Sequence, residues 1–244
     1  MKKLILALVF VLSSSLSFGE AKVFVLAFHT FLGKETVDLD IDTKKFKEEL
    51  QKLKNDGFTF VSMEQVIENK ITGNKNLLMT IDDGHKTVIK AFDEVLKPMG
   101  IKPVLAIYPS IIGNSKSFMT WDEVNRLAKE GAYIAAHGYK HLHVNQKLFD
   151  KNKKEFEDEI YKSKQILEEK TGKKIDTFVY PYGIRSDITK EYLKKAGYKR
   201  AFTINWGTLL LPFNQNKDNF ELPRHMFTRK EWDNEVKIIK SKAK

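Results

Sequence analysis

The chain has 244 residues, of which 42% are hydrophobic and 30% are charged, and this balance is typical of a globular protein rather than a disordered one. The net charge of +10 would suit an anionic polymer. Lysines are mixed with glutamates, as in 151–170, which is typical of solvated helix faces, so we expect no nucleic-acid partner. The absence of cysteine excludes disulfides and thiolate metal ligands.

The N-terminus has the residue order of a secretory signal. Two lysines precede an apolar run at 4–12, and small residues follow at 13–17. The apolar run is shorter than the roughly 20 residues that a membrane-spanning helix needs. We therefore predict a signal peptide at 1–19, a single domain at 20–244, no transmembrane span beyond the leader, and a secreted or periplasmic location. An uncleaved anchor or a buried N-terminal strand is the alternative.

After the leader, apolar β-prone runs alternate with segments of helical periodicity. The predicted strands are 22–28, 58–61, 77–81, 103–108, 132–136, 176–180 and 199–204, followed by an extended segment at 220–227. The predicted helices begin at Thr43, which we expect to be the cap, and cover 63–69, 87–97, 120–129, 150–170, 188–196 and 230–240. This alternation predicts an α/β fold with about seven parallel strands in a barrel-like closure, and an open doubly wound sheet is the alternative.

Reactive side chains follow the predicted strands. Barrels of parallel strands place their chemistry at the carboxyl ends of the strands. The residues found just after these ends are His29, Asp82, Asp83, His137, His141, Tyr182 and His225. One rim of the barrel is therefore predicted to gather imidazoles and carboxylates.

Two histidines and an aspartate on this rim form a candidate metal site. His137 and His141 are four residues apart, a spacing that one helical turn would place on a common face. Asp83 would complete a set that suits zinc, iron, cobalt or nickel better than magnesium or calcium. Asp82 and Asp83 are adjacent in an extended chain, so one could bind the metal while the other faces the substrate. A turn at Asp83-Gly84 is the alternative, and it leaves Asp82 unexplained.

These residues resemble the motifs of the polysaccharide deacetylase family, the NodB-homology domain. The family patterns T-F-D-D-G, H-[ST]-x-x-H, R-x-P-Y-G and L-x-x-H correspond to 80–84, 137–141, 179–183 and 222–225. The resemblance covers 22–227 and implies a distorted, NodB-like (β/α) barrel. It also implies a divalent metal, with zinc favoured over cobalt, nickel and iron. The implied roles are metal binding by Asp83, His137 and His141, general base for Asp82, general acid for His225, and an oxyanion contact from the Tyr182 backbone N–H.

The chain departs from these motifs at several positions. Val179 stands where many members have an arginine that orients the base aspartate, and Arg224 or Arg185 could supply that charge. Gly138 stands where a hydroxyl residue is usual. The family's aspartate beside a tryptophan has only Asn205-Trp206 as a counterpart, which leaves the partner of His225 open.

The resemblance implies metal-dependent removal of N-acetyl groups from an extracytoplasmic polysaccharide that contains N-acetylglucosamine. The Tyr-Pro-Tyr-Gly form of the third motif looks closer to the branch that acts on biofilm poly-N-acetylglucosamine. A catalytically impaired carbohydrate-binding protein, suggested by Val179, and a deacetylase of another acetylated cell-wall polymer are the alternatives. For His29, a direct role and a hydrogen-bonded structural role both stay open, and we expect His85 and His143 to be supporting or surface residues.

Overall fold

The computed structural model describes residues 20–34 and 37–244, so the predicted signal peptide at 1–19 lies outside the described residues. The strands are β1 (Ala21–Phe28), β2 (Thr59–Val61), β3 (Gly73–Asp83), β4 (Val104–Ile107), β5 (Tyr133–Ala136), β6 (Thr177–Val179), β7 (Arg200–Phe202), β8 (Leu209–Leu211) and β9 (His225–Met226). The helices are α1 (Thr43–Asn55), α2 (Met63–Ile67), α3 (Thr87–Ala91), α4 (Trp121–Lys129), α5 (Gln146–Lys151), α6 (Lys153–Glu157), α7 (Ser163–Thr171), α8 (Asp187–Lys195) and α9 (Trp232–Lys242). Each of the seven predicted strands is present, and the antiparallel strand β8 was not predicted.

The strands form one curled sheet in the order β7-β6-β5-β4-β3-β1-β8. Its neighbouring strands are parallel except for β8, which runs antiparallel to β1. The segment around Leu222 brings the two edges together, because Leu222 forms a bridge with Phe202 of β7 and β9 pairs with β1. This curling confirms the expected distorted (β/α) barrel.

The pleat of the strands divides the core into two apolar layers. The layer inside the barrel includes Val23, Val25, Leu78, Val104, Ala106, Ala135, Phe202 and Leu222. The layer outside lies beneath the helices, where Phe46 of α1 packs with ring centroids 5.1 Å from Phe28 and 4.8 Å from Phe31. Strands that are buried on both faces need continuous apolar runs, which is why the strand pattern could be read from the sequence.

Two helices differ from their predicted form. Asp42 rather than Thr43 caps α1, because its side chain accepts a hydrogen bond from the Lys45 backbone N–H. The predicted long helix at 150–170 is interrupted at Asn152, whose φ of −155° and ψ of 83° end α5 and whose side chain caps α6. None of the described helices is long and apolar enough to cross a lipid bilayer.

Candidate metal and catalytic site

The site forms where three adjacent strands end on the same rim. Asp83 pairs with Ile107 of β4, and Ile107 in turn pairs with Ala136 of β5. His137 follows directly and donates its backbone N–H to the Ile107 carbonyl at 3.0 Å. Parallel strands in this register bring Asp83 and His137 together although they are far apart in the sequence.

His137, His141 and Asp83 converge on one point. The Nε2 atoms of the two histidines are 3.1 Å apart, and Asp83 Oδ1 lies 3.5 Å from His137 Nε2 and 3.3 Å from His141 Nε2. Ligands that surround zinc tetrahedrally at 2.0–2.1 Å are separated by about 3.3 Å. Among the described residues, this is the cluster of imidazole and carboxylate groups that could hold a metal ion.

The orientation of His137 and the neutral state of His141 suit metal ligands. The Val179 carbonyl accepts a hydrogen bond from His137 Nδ1 at 2.8 Å, which leaves the Nε2 lone pair directed at the cluster. Burial and the neighbouring His137 lower the pKa of His141 to about 4, so His141 is neutral at pH 7. Asp83 Oδ1 is buried and has no hydrogen-bond partner among the described residues. A divalent cation would satisfy this buried oxygen, so Asp83, His137 and His141 fit a metal ion.

The histidine pair is brought together by a loop rather than by the helical turn that its spacing suggested. Gly138 and His141 have φ values of 76° and 63°, which are incompatible with a right-handed α-helix. Asp83 has a φ of 76°, so the strict alternation of a strand ends there. For this reason Asp82 Oδ2 and Asp83 Oδ1 both lie near His137 Nε2, at 3.9 and 3.5 Å. Backbone strain of this kind tends to occur at functional sites.

Asp82 is buried beside a guanidinium. Arg224 Nη1 donates to Asp82 Oδ1 at 2.8 Å and to Thr80 Oγ1 at 2.9 Å, while Arg224 Nε donates to the Thr203 carbonyl at 2.8 Å. Burial by itself would raise the pKa of Asp82, but Arg224 and His137 outweigh it and hold this pKa well below its usual value. Asp82 is therefore ionised, with Oδ1 bonded to Arg224 and Oδ2 facing the cluster.

The sequence pattern around this site matches a known family. A model of the polysaccharide deacetylase family matches residues 69–201, more than half of the chain. This chain belongs to the polysaccharide deacetylase family. The matched region includes the Asp82–Asp83 pair and the His137–His141 loop.

Individual relatives are distant in sequence. The poly-β-1,6-N-acetyl-D-glucosamine N-deacetylase of Staphylococcus epidermidis is 22% identical over 219 residues, which cover 82% of this chain and 74% of that protein. YxkH of Bacillus subtilis is 24% identical over 191 residues, which cover 77% of this chain but only 66% of YxkH. The structure of IcaB from Ammonifex degensii has a TM-score of 0.77 at 22% identity and covers 89% of this chain and 97% of that one. This similarity shows that the two proteins share the fold.

The departure of this polysaccharide deacetylase at Gly138 is explained by a buried carboxylate. Glu159, which is 0% exposed, accepts hydrogen bonds from the backbone N–H groups of Tyr139, Lys140 and Leu142 at 2.8–3.1 Å. A Cβ on residue 138 would overlap Glu159 Oε2, so only glycine fits beside it. Burial raises the pKa of Glu159 in spite of these three N–H donors. Glu159 thus holds the loop that carries His141.

The departure at Val179 is likewise compensated from another strand. Val179 is buried in the apolar layer inside the barrel. Of the two arginines considered from the sequence, Arg224 contacts Asp82, whereas Arg185 Nη2 lies 3.3 Å from Glu221 near the surface. The positive charge beside Asp82 therefore comes from residue 224.

Tyr182 lies against the metal cluster. It has a φ of 57° in the 3-10 turn that starts at Pro181, where the first backbone N–H groups have no acceptor within the turn. Its ring is 54% exposed and stands edge-on to His141 and His143, with centroids 4.5 and 4.6 Å away. The Tyr182 ring is thus available to a ligand that binds beside the cluster.

The ring of His225, which the L-x-x-H motif predicts to be the general acid, is bonded to groups outside the cluster. It pairs with Leu26, so its side chain shares the helix-facing side of the sheet, whereas Arg224 points into the barrel. His225 is 1% exposed, with Nδ1 2.8 Å from Glu235 Oε2 and Nε2 2.8 Å from the Gly207 carbonyl. Both ring nitrogens are engaged, and Glu235 rather than Asn205 is its polar partner.

His29 lies at the rim beside Asp82. Phe28 pairs with Ile81, so His29 and Asp82 follow at adjacent positions of neighbouring strands. His29 Nδ1 is buried without a hydrogen-bond partner among the described residues. Burial lowers the pKa of His29, and the carboxylates of Asp82 and Asp83 act in the opposite direction. The sequence signal for His29 was its position just after the predicted strand 22–28, and the register with Asp82 comes from the structure.

The clamp by Glu159 can be tested by removing its charge. We expect Glu159→Gln to weaken zinc binding by about 10- to 100-fold, because an amide has only one oxygen to offer to three N–H donors. Isothermal titration of the metal-free protein measures this affinity. The control is Glu155→Gln, which removes the same charge at an exposed ion pair with Lys140. Equal affinities in the two variants would contradict the role of Glu159.

The buried pair of Arg224 and Asp82 predicts a pH-dependent loss of stability. We expect Arg224→Met to lower the free energy of unfolding at pH 7 by about 3–5 kcal/mol, because it leaves a buried carboxylate without its cation. The low pKa of Asp82 stabilises the wild type fully above about pH 4, and this contribution disappears as the pH falls through the folded-state value. The difference between wild type and variant should therefore shrink in acid.

Denaturant titrations at several pH values measure this difference. Arg185→Met is the matched control, because its ion pair with Glu221 is near the surface and should contribute at most about 1 kcal/mol. A deficit for Arg224→Met that stays constant down to acid pH would argue against the ion pair.

Proposed function

We propose that this polysaccharide deacetylase is exported and hydrolyses N-acetyl groups on a polysaccharide that contains N-acetylglucosamine, in a reaction that depends on a divalent metal ion. The observation that carries the proposal is the convergence of Asp83, His137 and His141 beside the ionised carboxylate of Asp82. A structural cluster of this kind on a parallel-strand rim combines a cation site with a base. That combination suits hydrolysis of an amide.

Asp83, His137 and His141 would hold the cation, with zinc favoured for two imidazoles and one carboxylate. When bound, the cation supplies Lewis acidity toward the acetamide oxygen and lowers the pKa of water. The Val179 carbonyl orients His137, and Glu159 orients the loop of His141. These two contacts support a preorganised ligand set.

Asp82 would act as the general base. Its Oδ1 is held by Arg224, so its Oδ2 is the oxygen that can accept the proton of the attacking water. The water oxygen bonds to the acetyl carbon. The backbone N–H of Tyr182, next to His141, would donate a hydrogen bond to the oxyanion that develops on the carbonyl oxygen.

We assign the proton donor to His29 in place of His225. A histidine with a lowered pKa is a strong acid once protonated, which suits transfer to a nitrogen that leaves as an amine. The carbon–nitrogen bond breaks, the proton goes to nitrogen, and acetate and a free amino sugar result. The buried Glu235–His225 pair would serve to anchor α9 on the sheet.

One similarity and one prediction support the substrate class. The relative from Staphylococcus epidermidis is a poly-β-1,6-N-acetyl-D-glucosamine N-deacetylase, and it aligns with most of this chain. The leader predicted at 1–19 would bring the enzyme to a polymer outside the cytoplasm. Val179 had suggested a catalytically impaired binding protein, and the presence of Arg224 beside Asp82 removes that reason.

The division of roles between base and ligand predicts two distinct losses. We expect Asp82→Asn to abolish acetate release from N-acetylglucosamine oligomers while zinc still binds, because Asp83 and both histidines remain. We expect His137→Ala to lose both activity and zinc. Acetate release and metal content are measured on the same samples, and a chelator followed by added zinc should remove and restore wild-type activity. Equal zinc loss in the two variants would overturn the assignment.

The assignment of the proton donor makes a second prediction. We expect His29→Gln to lower kcat by about 10²- to 10⁴-fold with unchanged zinc affinity, as is usual for loss of a general acid. His225→Gln should instead lower the thermal unfolding temperature and keep most of kcat, because its nitrogens contact Glu235 and Gly207. The opposite ranking of the two kcat values would return the role to His225.

A further inference from the structure

A cleft of about 350 Å³ opens beside the metal cluster. Its wall is shared with the site, since His141 and Tyr182 line it. The other lining residues are Leu142, His143, Asn145, Lys147, Leu148 and Lys151. A polymer whose acetamide reaches the cluster would therefore lay a neighbouring sugar in this cleft.

The charged side chains that line the cleft are both lysines. Lys147 and Lys151 are exposed and lie one helical turn apart on the same face of α5. None of the described residues that line the cleft is acidic. The carboxylate of Asp150 lies on the adjoining part of the helix, where the Gln146 amide donates to it at 2.8 Å. The ammonium groups therefore face the cleft without a counter-ion from its wall.

Other lysines near the cleft form ion pairs with described residues, and Lys147 and Lys151 do not. Lys140 lies 3.1 Å from Glu155, and Lys153 lies 3.7 Å from Glu157. In contrast, Lys147 and Lys151 have no carboxylate of the described residues within ion-pair distance. These two charges are available to a ligand in a way that the paired lysines around them are not.

We propose that the cleft is a subsite for an acidic sugar, and that Lys147 and Lys151 bind its carboxylate. This inference rests on the proposed function, and it names the substrate as an N-acetylated glycan that carries carboxylates beside the acetamide. Each deacetylation creates an ammonium group, which two unpaired lysines would repel on a neutral polymer. On an acidic polymer the carboxylates remain, and the attraction persists from one cut to the next. Leu142, Leu148 and the Tyr182 ring give the sugar an apolar surface.

The test compares one oligosaccharide in two charge states. The acidic probe is an oligomer that alternates N-acetylglucosamine with N-acetylmuramic acid, and the neutral probe is the same oligomer with its carboxyl groups converted to amides. An oligomer that alternates N-acetylglucosamine with glucuronic acid distinguishes a lactyl carboxylate from a uronate. Affinity is measured by isothermal titration with the zinc-loaded protein, and acetate release is measured separately.

We expect the acidic probes to bind more tightly than the neutral one by about two- to thirtyfold, the range that two exposed ion pairs allow. The preference should weaken as salt is added. The double variant Lys147→Ala/Lys151→Ala should lose the preference. Lys173→Ala/Lys174→Ala is the matched control, since it removes the same charge at exposed positions outside the cleft and should keep the preference.

The outcomes separate the two proposals. Equal affinity for acidic and neutral probes, or a preference that survives in Lys147→Ala/Lys151→Ala, overturns the subsite while acetate release still supports the proposed function. A preference that depends on the two lysines supports the subsite even if no acetate is released, and in that case the proposed function fails instead.

Discussion

Two carboxylates at the mouth of an apolar barrel impose the constraint on which the rest of this site depends. Asp82 and Asp83 end β3, where Leu77, Leu78, Met79 and Ile81 are buried and apolar, and an ionised carboxylate there is costly unless a cation or hydrogen bonds accompany it. Asp82 is paired with the guanidinium of Arg224. Asp83 faces two imidazole nitrogens and keeps a buried oxygen without a hydrogen bond, which is the environment of a metal ligand. The chemistry of the rim follows from the different surroundings of Asp82 and Asp83.

Buried charges also shape the loop that brings the second histidine into place. Glu159 lies on a helical segment outside the barrel and receives three backbone N–H groups of the loop that links His137 to His141. This clamp requires a glycine at position 138, since any side chain there would collide with the carboxylate. In this chain the loop is therefore held by a side chain that lies 17 to 20 positions further along the sequence.

The position of a residue along a strand decides which histidine can meet a substrate. His29 and His225 both stand at strand ends, yet His29 follows the inward-facing register of β1 while His225 shares the outward register of Leu26. Arg224, one residue earlier than His225, takes the inward place. A shift of one residue thus exchanges a cation for an imidazole at the rim. The cleft that His141 shares with Lys147 and Lys151 adjoins the cluster, and in our proposal it extends the site toward recognition of the polymer.

The sequence by itself determined the alternation of strands and helices and the rim on which the reactive residues gather. It could do so because strands buried on both faces leave continuous apolar runs, and parallel strands end on the same edge. It also identified Asp83, His137 and His141 as one group, although it attributed the histidine pair to a helical turn that is in fact a loop of positive φ values.

Only the tertiary structure decided which charge accompanies Asp82, what holds the loop at Gly138, and which histidine faces the barrel. Arg224, Glu159 and His29 meet their partners across 17 to 142 positions of the chain or across the register of neighbouring strands. Such contacts depend on how strands pair and in which direction a side chain leaves the sheet. Neither is encoded in the local periodicity from which elements are predicted.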